Sequence, residues 1–153
     1  MKRFLSGALA VAGALALAAP AWAQSDRGTS KLTLGNKKIS IDYGRPALKG
    51  RKVEDMLSQL GAGEVWRLGA NASTTFVTTG ELSFSDVKVP AGTYSLWARK
   101  EADNSWKLVF NTQHGQWGTQ HDASKDLVAV PLTESKASDS AEQVTIDLAK
   151  ADN

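Results

Sequence analysis

The 153-residue sequence contains no cysteine, only two histidines and only four prolines. Without cysteine the chain has no disulfide, no thiolate metal site and no cysteine nucleophile. It also lacks a phosphate-binding loop, a dinucleotide fingerprint, a Gly-x-Ser-x-Gly nucleophile elbow and an H-E-x-x-H zinc motif. No signature of an enzyme class is therefore present, and the sequence predicts no cofactor.

The first 23 residues have the layout of a secretory signal peptide. Lys2 and Arg3 precede an apolar run over residues 4–19, and small residues flank Trp22 at positions 21 and 23. We predict Sec-type export with cleavage after Ala23, and a periplasmic or secreted protein with no membrane span after cleavage. The remaining residues, 24–153, have the length of one domain.

The positive charge of the whole chain comes from the predicted signal peptide. Without Lys2 and Arg3 the chain carries 16 basic and 16 acidic residues, so no nucleic-acid partner is predicted. The charge is unevenly distributed, with a net +5 over residues 24–100 and a net −5 over residues 101–153. The two halves are therefore expected to attract each other in the fold.

Apolar residues alternate with polar ones along most of the chain, which is typical of half-buried β-strands. Residues 30–43 predict a hairpin whose turn is Gly35-Asn36. The later strands are predicted around these apolar positions: Leu82 and Phe84; Tyr94 and Leu96; Trp106, Leu108 and Phe110; Leu127 to Val130; and Val144, Ile146 and Leu148. About eight or nine short strands favour an all-β, two-sheet antiparallel β-sandwich of jelly-roll-like form.

One segment departs from this alternation. Val53, Met56, Leu57 and Leu60 have the i, i+3, i+4, i+7 spacing of a helix, and Gly61 follows as a candidate C-cap. The spacing predicts a short helix over residues 52–60. We expect it to close an open edge or end of the sandwich.

The first stretch with chemical potential covers residues 43–51 and contains Arg45 and Arg51. Planar guanidinium groups suit carboxylates and phosphates, and residues 37–52 carry a net +5. An anionic ligand or an acidic partner would fit this pattern. The alternative is structural: both arginines pair within the protein, with the acidic C-terminal half.

The second stretch covers residues 64–71 and places Trp66 beside Arg67, followed by Asn71. An indole face, a guanidinium group and an amide together suit a polar organic ligand. The structural alternative puts Trp66 in the core, has Arg67 donate to backbone carbonyls, and has Asn71 close a turn through its side chain.

The third stretch, residues 114–122, contains both histidines, His114 and His121, together with Trp117 and Asp122. Two imidazoles and a carboxylate are weak candidates for a metal site, because the spacing of the histidines matches no local ligand geometry. The alternative is a surface loop with Trp117 folded beneath it.

These stretches carry a resemblance to a known family. The matching segments are D-Y-G-R-P at 42–46, K-G-R at 49–51, V-W-R-x-G-A-N at 65–71 and P-A-G-T-Y-S-L at 90–96. The chain resembles the bacterial domain-of-unknown-function family 2911. The resemblance implies an exported protein with no established activity and supplies no catalytic residues. His121-Asp122 departs from the family's usual Tyr-Asp, which argues against a shared histidine-ligated metal.

We interpret the chain as an exported binding module. If the three stretches meet at one end of the sandwich, they form a polar pocket for a small polar or anionic ligand or an envelope partner. Two alternatives remain open: a hydrolase-type or metal-dependent enzyme using Glu64, His114 or His121, and a purely structural envelope protein. The candidate ligand-binding residues are Arg45, Arg51, Trp66, Arg67, Asn71 and Trp117.

Overall fold

The computed structural model describes residues 26–150, so the predicted signal peptide lies outside the described residues. Within this range the chain forms nine strands, one short α-helix, α1 (Val53–Leu57), and one 3-10 turn at Ala123–Lys125. The strands are β1 (Arg27–Leu34), β2 (Lys37–Gly44), β3 (Val65–Trp66), β4 (Thr75–Thr78), β5 (Leu82–Phe84), β6 (Val87–Val89), β7 (Gly92–Lys100), β8 (Trp106–Asn111) and β9 (Asp126–Leu132). The predicted all-β class and strand number are confirmed.

Seven of these strands form one antiparallel sheet. Its order is β1-β2-β4-β7-β8-β9, and β3 pairs with β7 beyond the end of β4. The remaining strands, β5 and β6, form a separate two-stranded sheet. The predicted two-sheet antiparallel sandwich is thus confirmed, with sheets of very unequal size.

The first hairpin follows directly from its sequence. Gly35 and Asn36 connect β1 to β2, and the register pairs Leu34 with Lys37. Gly35 has a φ of 61°, which glycine adopts without the steric cost of a Cβ atom. This register places the alternating apolar residues of β2 on one face of the large sheet.

That face carries the hydrophobic core. Phe110 on β8 is fully buried, and its ring lies 5.2 Å from Phe76 and 5.9 Å from Tyr94, both in edge-to-face geometry. Phe84 of the two-stranded sheet lies 5.6 Å from the same ring. Such aromatic contacts add to the free energy gained by burial. Because these neighbouring rings come from both sheets, Phe110 holds the two sheets together.

The prediction of a last strand is wrong, because this segment forms no strand, although its apolar residues do reach the core. Val144, Ile146 and Leu148 pack against the core, but among the described residues they belong to no ladder. The Ile146 amide donates to the Tyr43 hydroxyl at 3.0 Å, and the Leu148 amide donates to the Ser30 hydroxyl at 2.9 Å. Because these acceptors are side chains of β2 and β1, the segment crosses the sheet face instead of extending an edge.

The helix is shorter than the predicted residues 52–60. It ends at Leu57 with Ser58 as its C-cap, and Gly61 lies outside it with its amide donating to the Glu64 carboxylate at 2.6 Å. The helix buries none of its residues, so the expectation that it closes the sandwich is wrong. Within residues 26–150, none of the helical segments has the length and apolarity needed to cross a membrane.

Over β7, the opposite face of the large sheet is covered by the loop of residues 112–122. Strand alternation places Ser95 and Trp97 of β7 on that face. The Gln116 amide of the loop donates to the Ser95 hydroxyl at 3.3 Å, and the His121 ring lies 4.9 Å from the Trp97 ring. The third stretch therefore lies directly over the sheet.

Candidate functional site

The second and third stretches meet through their backbones. Ala72 and Trp117 form an isolated antiparallel bridge, and the Gly118 amide donates to the Asn71 carbonyl at 2.7 Å. The Ser73 amide adds a bond of 2.9 Å to the Gln116 carbonyl. These contacts hold the two stretches side by side at the end of β3.

A hollow of about 240 Å³ lies where the two stretches meet the sheet. We call it the hollow, and it is lined by Val65, Trp66, Arg67, Trp97, Gly118, Thr119 and His121. Its wall combines two indoles with one guanidinium group and one imidazole. A site with an apolar wall and a few polar groups is typical of small-molecule binding.

Gly118 allows Arg67 to lie along the wall of the hollow. A Cβ atom on this glycine would stand 2.8 Å from the Asn71 carbonyl oxygen and 3.0 Å from Cδ of Arg67. Any larger residue would therefore push apart the two stretches or displace the arginine stem. The glycine is needed because of this close approach.

Trp97 forms the floor of the hollow. It is almost completely buried, and its Nε1 donates to the Ser95 hydroxyl at 2.9 Å. The Ser95 hydroxyl in turn donates to the Gln113 carbonyl at 2.6 Å. Because the indole nitrogen already has a partner, Trp97 presents no free donor to the hollow.

His121 is held by a chain of buried polar groups. Its Nε2 lies 2.8 Å from Oδ1 of Asp126, and the Asn111 amide donates to the same oxygen at 2.7 Å. The Asn111 amide also donates to the Asp122 carbonyl, and its own oxygen accepts from the Gln113 amide. Asn111 is fully buried, so this chain fixes the position of the Asp126 carboxylate.

A β-bulge brings Asp126 into this chain. Simple alternation would place Asp126 on the same face as Val128, which packs against the core. The ladder pairs Phe110 with Val128 but Asn111 with Asp126, so Leu127 is the extra residue and is 46% exposed. Bulges are frequent beside functional sites because they re-aim side chains, as this one re-aims Asp126.

Arg67 differs from the other predicted arginines. Within residues 26–150 its guanidinium group forms no hydrogen bond and no ion pair, and it lines the hollow. The expected donation to backbone carbonyls is therefore not made. Its donors remain accessible to a molecule that enters the hollow.

The arginines of the first stretch do not line the hollow. Arg45 donates to the Val144 carbonyl at 3.1 Å and to the Thr145 hydroxyl at 3.3 Å. Arg51 donates to the Leu48 and Ala47 carbonyls of its own stretch, at 3.0 and 3.1 Å. The three guanidinium groups therefore do not converge, and two of them are used within the protein.

The remaining binding candidates divide between the hollow and its rim. Trp66 is half-buried and lines the hollow, so it is not a core residue. Asn71 has a φ of 62°, which asparagine tolerates, and it contributes its carbonyl to the contact with Gly118. Trp117 is 49% exposed and therefore does not fold beneath the loop.

The structure does not bring the weak metal and enzyme candidates together. His114 is exposed, and Glu64 accepts a bond from the Gly61 amide. Asp122 caps the 3-10 turn, and bonds from the hydroxyl and amide of Ser124 hold the pKa of its carboxyl below the usual range. Across the described residues, no group of three His, Cys, Asp or Glu side chains could hold a metal ion.

Among the site residues that sequence reasoning missed, four form or support the floor of the hollow: Ser95, Trp97, Asn111 and Asp126. The signal for the first three is the strand pattern itself. Ser95 and Trp97 alternate with core residues Tyr94 and Leu96, so a tryptophan on the second face indicates that this face is covered. No such signal exists for Asp126, because the bulge reverses the face that alternation predicts.

The chain is an all-β sandwich protein with an aromatic-lined hollow at one sheet face. Residues 25–153 match the family described as "Protein of unknown function (DUF2911)", and the chain belongs to that family. No curated protein and no solved structure matches the chain. The expected family is thereby confirmed.

Proposed function

We propose that this protein is an exported module that binds a small organic anion in the hollow without transforming it. The signal-peptide pattern of residues 1–23 supports export to the periplasm or beyond. The composition of the wall of the hollow supports the ligand class. The observation that carries the proposal is the accessible guanidinium group of Arg67.

The three predicted arginines provide an internal comparison for this proposal. Arg45 and Arg51 each donate two hydrogen bonds within the protein, whereas Arg67 makes none with any described residue. A guanidinium group carries five donors in a planar fork that matches a carboxylate or a phosphate. Arg67 is thus the arginine whose donors are available for a bound anion.

The rest of the hollow supports a ligand with a flat apolar body. Trp66 contributes ring surface and Val65 contributes aliphatic surface, while Trp97 lies almost completely buried beneath them. An apolar cavity of about 150 Å³ holds benzene, so a hollow of about 240 Å³ accommodates a molecule of roughly the size of benzoate. Benzoate is therefore a suitable probe, with inorganic phosphate as a probe that lacks the ring and benzyl alcohol as a probe that lacks the charge.

The test is isothermal titration calorimetry of the chain without residues 1–23. We expect benzoate to bind more tightly than phosphate, which lacks the ring, and than benzyl alcohol, which lacks the charge. Arg67→Ala should weaken benzoate binding by about tenfold or more, since a hydrogen bond to a charged group contributes roughly 1.5–3 kcal/mol. Arg51→Ala removes the same charge from an exposed site outside the hollow and should leave the affinity unchanged.

Thermal unfolding separates this proposal from a structural role. Arg67→Ala should leave the melting temperature within a few degrees of the parent, because it removes no internal hydrogen bond. It should also reduce the rise in melting temperature that benzoate produces in the parent. If no probe binds, or if Arg67→Ala lowers the melting temperature by much more than a few degrees while the folded variant keeps the parent's benzoate affinity, the proposal is wrong and the structural alternative is favoured.

A further inference from the structure

We infer that two copies of this protein pair through the free edge of β1 and form a closed, two-fold dimer with one continuous sheet. The inference is independent of the proposed function, because β1 contributes no residue to the hollow. β1 lies at one end of the seven-stranded sheet, and β2 is its partner there. The free side of an edge strand carries unpaired backbone donors and acceptors, so another strand can add to it.

The hydrogen bonds of β2 show which groups of β1 face the free edge. The Lys38 amide donates to the Thr79 hydroxyl at 2.8 Å, and the Lys38 carbonyl accepts from the Thr79 amide at 3.0 Å. Lys38 therefore points away from β1, so its partner Thr33 and every second residue of β1 point toward the free edge. These outward residues are Arg27, Thr29, Lys31 and Thr33, and all are exposed. Within residues 26–150, no backbone hydrogen bond reaches their outward groups.

The opposite edge of the sheet, formed by β9, is protected against such pairing. Pro131 has no backbone N–H, and it lies near the end of β9. The bulge at Leu127 disrupts the other end, so regular outward pairing is left to Ala129. A contact between β1 and β9 would also join copies head to tail without closing. The difference between the two edges therefore favours pairing of β1 with β1, which closes after two copies.

One antiparallel register uses all four outward residues of β1 in both copies. It places Ser30 opposite Ser30 of the second copy, on the two-fold axis. Thr29 of each copy then faces Lys31 of the other, and these pairs exchange both backbone hydrogen bonds. At the ends of the two strands, Arg27 faces Thr33. A shift by two residues would place Lys31 opposite Lys31 or opposite Arg27, and like charges directly opposite each other are destabilising.

The same register gives Lys31 an acidic neighbour. Within residues 26–150, Lys31 forms no ion pair. Thr29 faces Asp42 in the ladder of its own chain, so Lys31 of one copy and Asp42 of the other lie on either side of Thr29. Two strand spacings put their Cα atoms about 10 Å apart, and the long lysine stem shortens the gap between the charges. Asp42 also pairs with Arg27, yet its side chain is 49% exposed, so the second copy brings complementary charge to this face.

Sedimentation of the chain without residues 1–23, over a wide range of protein concentration, tests the dimer. We expect monomer and dimer in equilibrium, with the dimer favoured at high concentration and no larger species. Lys31→Pro should abolish the dimer, because it removes an outward donor at the centre of the interface and no bond to β2. Lys31→Thr removes the same charge but keeps the donor, so this matched control should still form the dimer. Thermal unfolding checks that both variants are folded.

A cysteine variant locates the two-fold axis without the use of proline. The chain contains no cysteine, so Ser30→Cys introduces its only thiol. Residues opposite each other in a non-hydrogen-bonded antiparallel pair have Cα atoms about 4.5 Å apart, which suits a disulfide. We expect mild oxidation to convert Ser30→Cys into a covalent dimer. Thr29→Cys is the control and should cross-link poorly, because its two copies are diagonal neighbours about 7–8 Å apart.

Three results would overturn the inference. The first is a parent protein that stays monomeric at every concentration, which would mean that the charges of Arg27 and Lys31 keep the edge unpaired. The second is a dimer that survives Lys31→Pro, or Ser30→Cys cross-linking no better than Thr29→Cys; if Lys31→Pro does not fold, the cross-linking comparison decides. The third is growth beyond the dimer, which would indicate open pairing through another edge. Each of these results leaves the proposed binding of benzoate standing.

Discussion

At β7 and β8 both faces of the seven-stranded sheet are buried, yet the two faces differ in chemistry. On one face Phe110 packs among other aromatic rings, and the covering layer is the two-stranded sheet and the segment of residues 144–148. On the other face the next residue, Asn111, is equally buried but its side chain is bonded to three polar groups. The covering layer there is the loop of residues 112–122, which leaves the hollow open.

This difference separates stability from binding within one sheet. An apolar face stabilises the fold through burial alone, and it does so best when it is packed without cavities. A polar face under a loop must satisfy each donor and acceptor, and it can therefore hold groups such as His121 at a set position beside a cavity. Substitutions at neighbouring positions of β8 should reveal the two roles.

The largest effect is expected from Phe110→Ala on the apolar face. The change leaves a cavity among three aromatic rings and should lower the free energy of unfolding by about 3–5 kcal/mol, measured by urea denaturation. Leu127→Ala, at the exposed bulge residue, is the control and should change it by less than about 0.5 kcal/mol. A loss of less than about 1 kcal/mol for Phe110→Ala would show that this face is not the main source of stability.

The next largest effect is expected from Asn111→Ala on the polar face. It leaves the Gln113 amide and the Asp122 carbonyl without their partner, so the free energy of unfolding should fall by about 1–3 kcal/mol. Thr112→Ala, at the following exposed position, should cost little. Equal and negligible losses for the two variants would mean that the buried polar chain does not stabilise the fold.

A smaller effect is expected from Tyr43→Phe, which probes the layer over the apolar face. The hydroxyl accepts the Ile146 amide, and its loss should cost about 0.5–1.5 kcal/mol. Amide hydrogen exchange at Ile146 should accelerate, while exchange in β8 follows only the change in global stability. Unchanged exchange at Ile146 would contradict the assigned contact.

The smallest effect is expected from the exposed carboxylates in the loops. Bonds from Ser105 and from Ser124 hold the pKa values of Asp103 and Asp122 below their usual range. In the unfolded chain these groups bind protons more readily, so their contribution is present above about pH 4 and lost as the pH falls through the lower folded-state values. Urea midpoints between pH 5 and pH 2 should therefore depend less on pH in Asp122→Asn than in the parent; an identical slope would exclude a contribution from Asp122.

Most of the strand layout could be predicted because strand periodicity is a local property. The hairpin through Gly35 and the two faces of β7 and β8 follow from alternation and from turn chemistry. The segment ending at Leu148 shows the limit of that reasoning. Its alternation correctly indicates one buried side, but alternation does not reveal whether the backbone pairs with a strand or with side-chain hydroxyls.

The candidate site was predicted only in part, because the sequence shows the chemical groups but not the distant residues that they contact. Trp66, Arg67 and His121 stand out in the sequence as side chains that could contact a ligand, and the structure places all three at one hollow. Arg45 and Arg51 stand out equally, but their donors are used within the protein. Nothing in the sequence distinguishes these arginines, because the difference lies in which distant carbonyls come within reach.

The sequence by itself determined the all-β class, the main strands and the family, since each depends on patterns that are read within a few residues. Only the tertiary structure decided which arginine stays available, that Asp126 faces His121, and that two of the three stretches meet. These features depend on a bulge in one ladder and on contacts between residues far apart in the chain. The free energy that selects them comes from packing of the whole domain, which no local pattern contains.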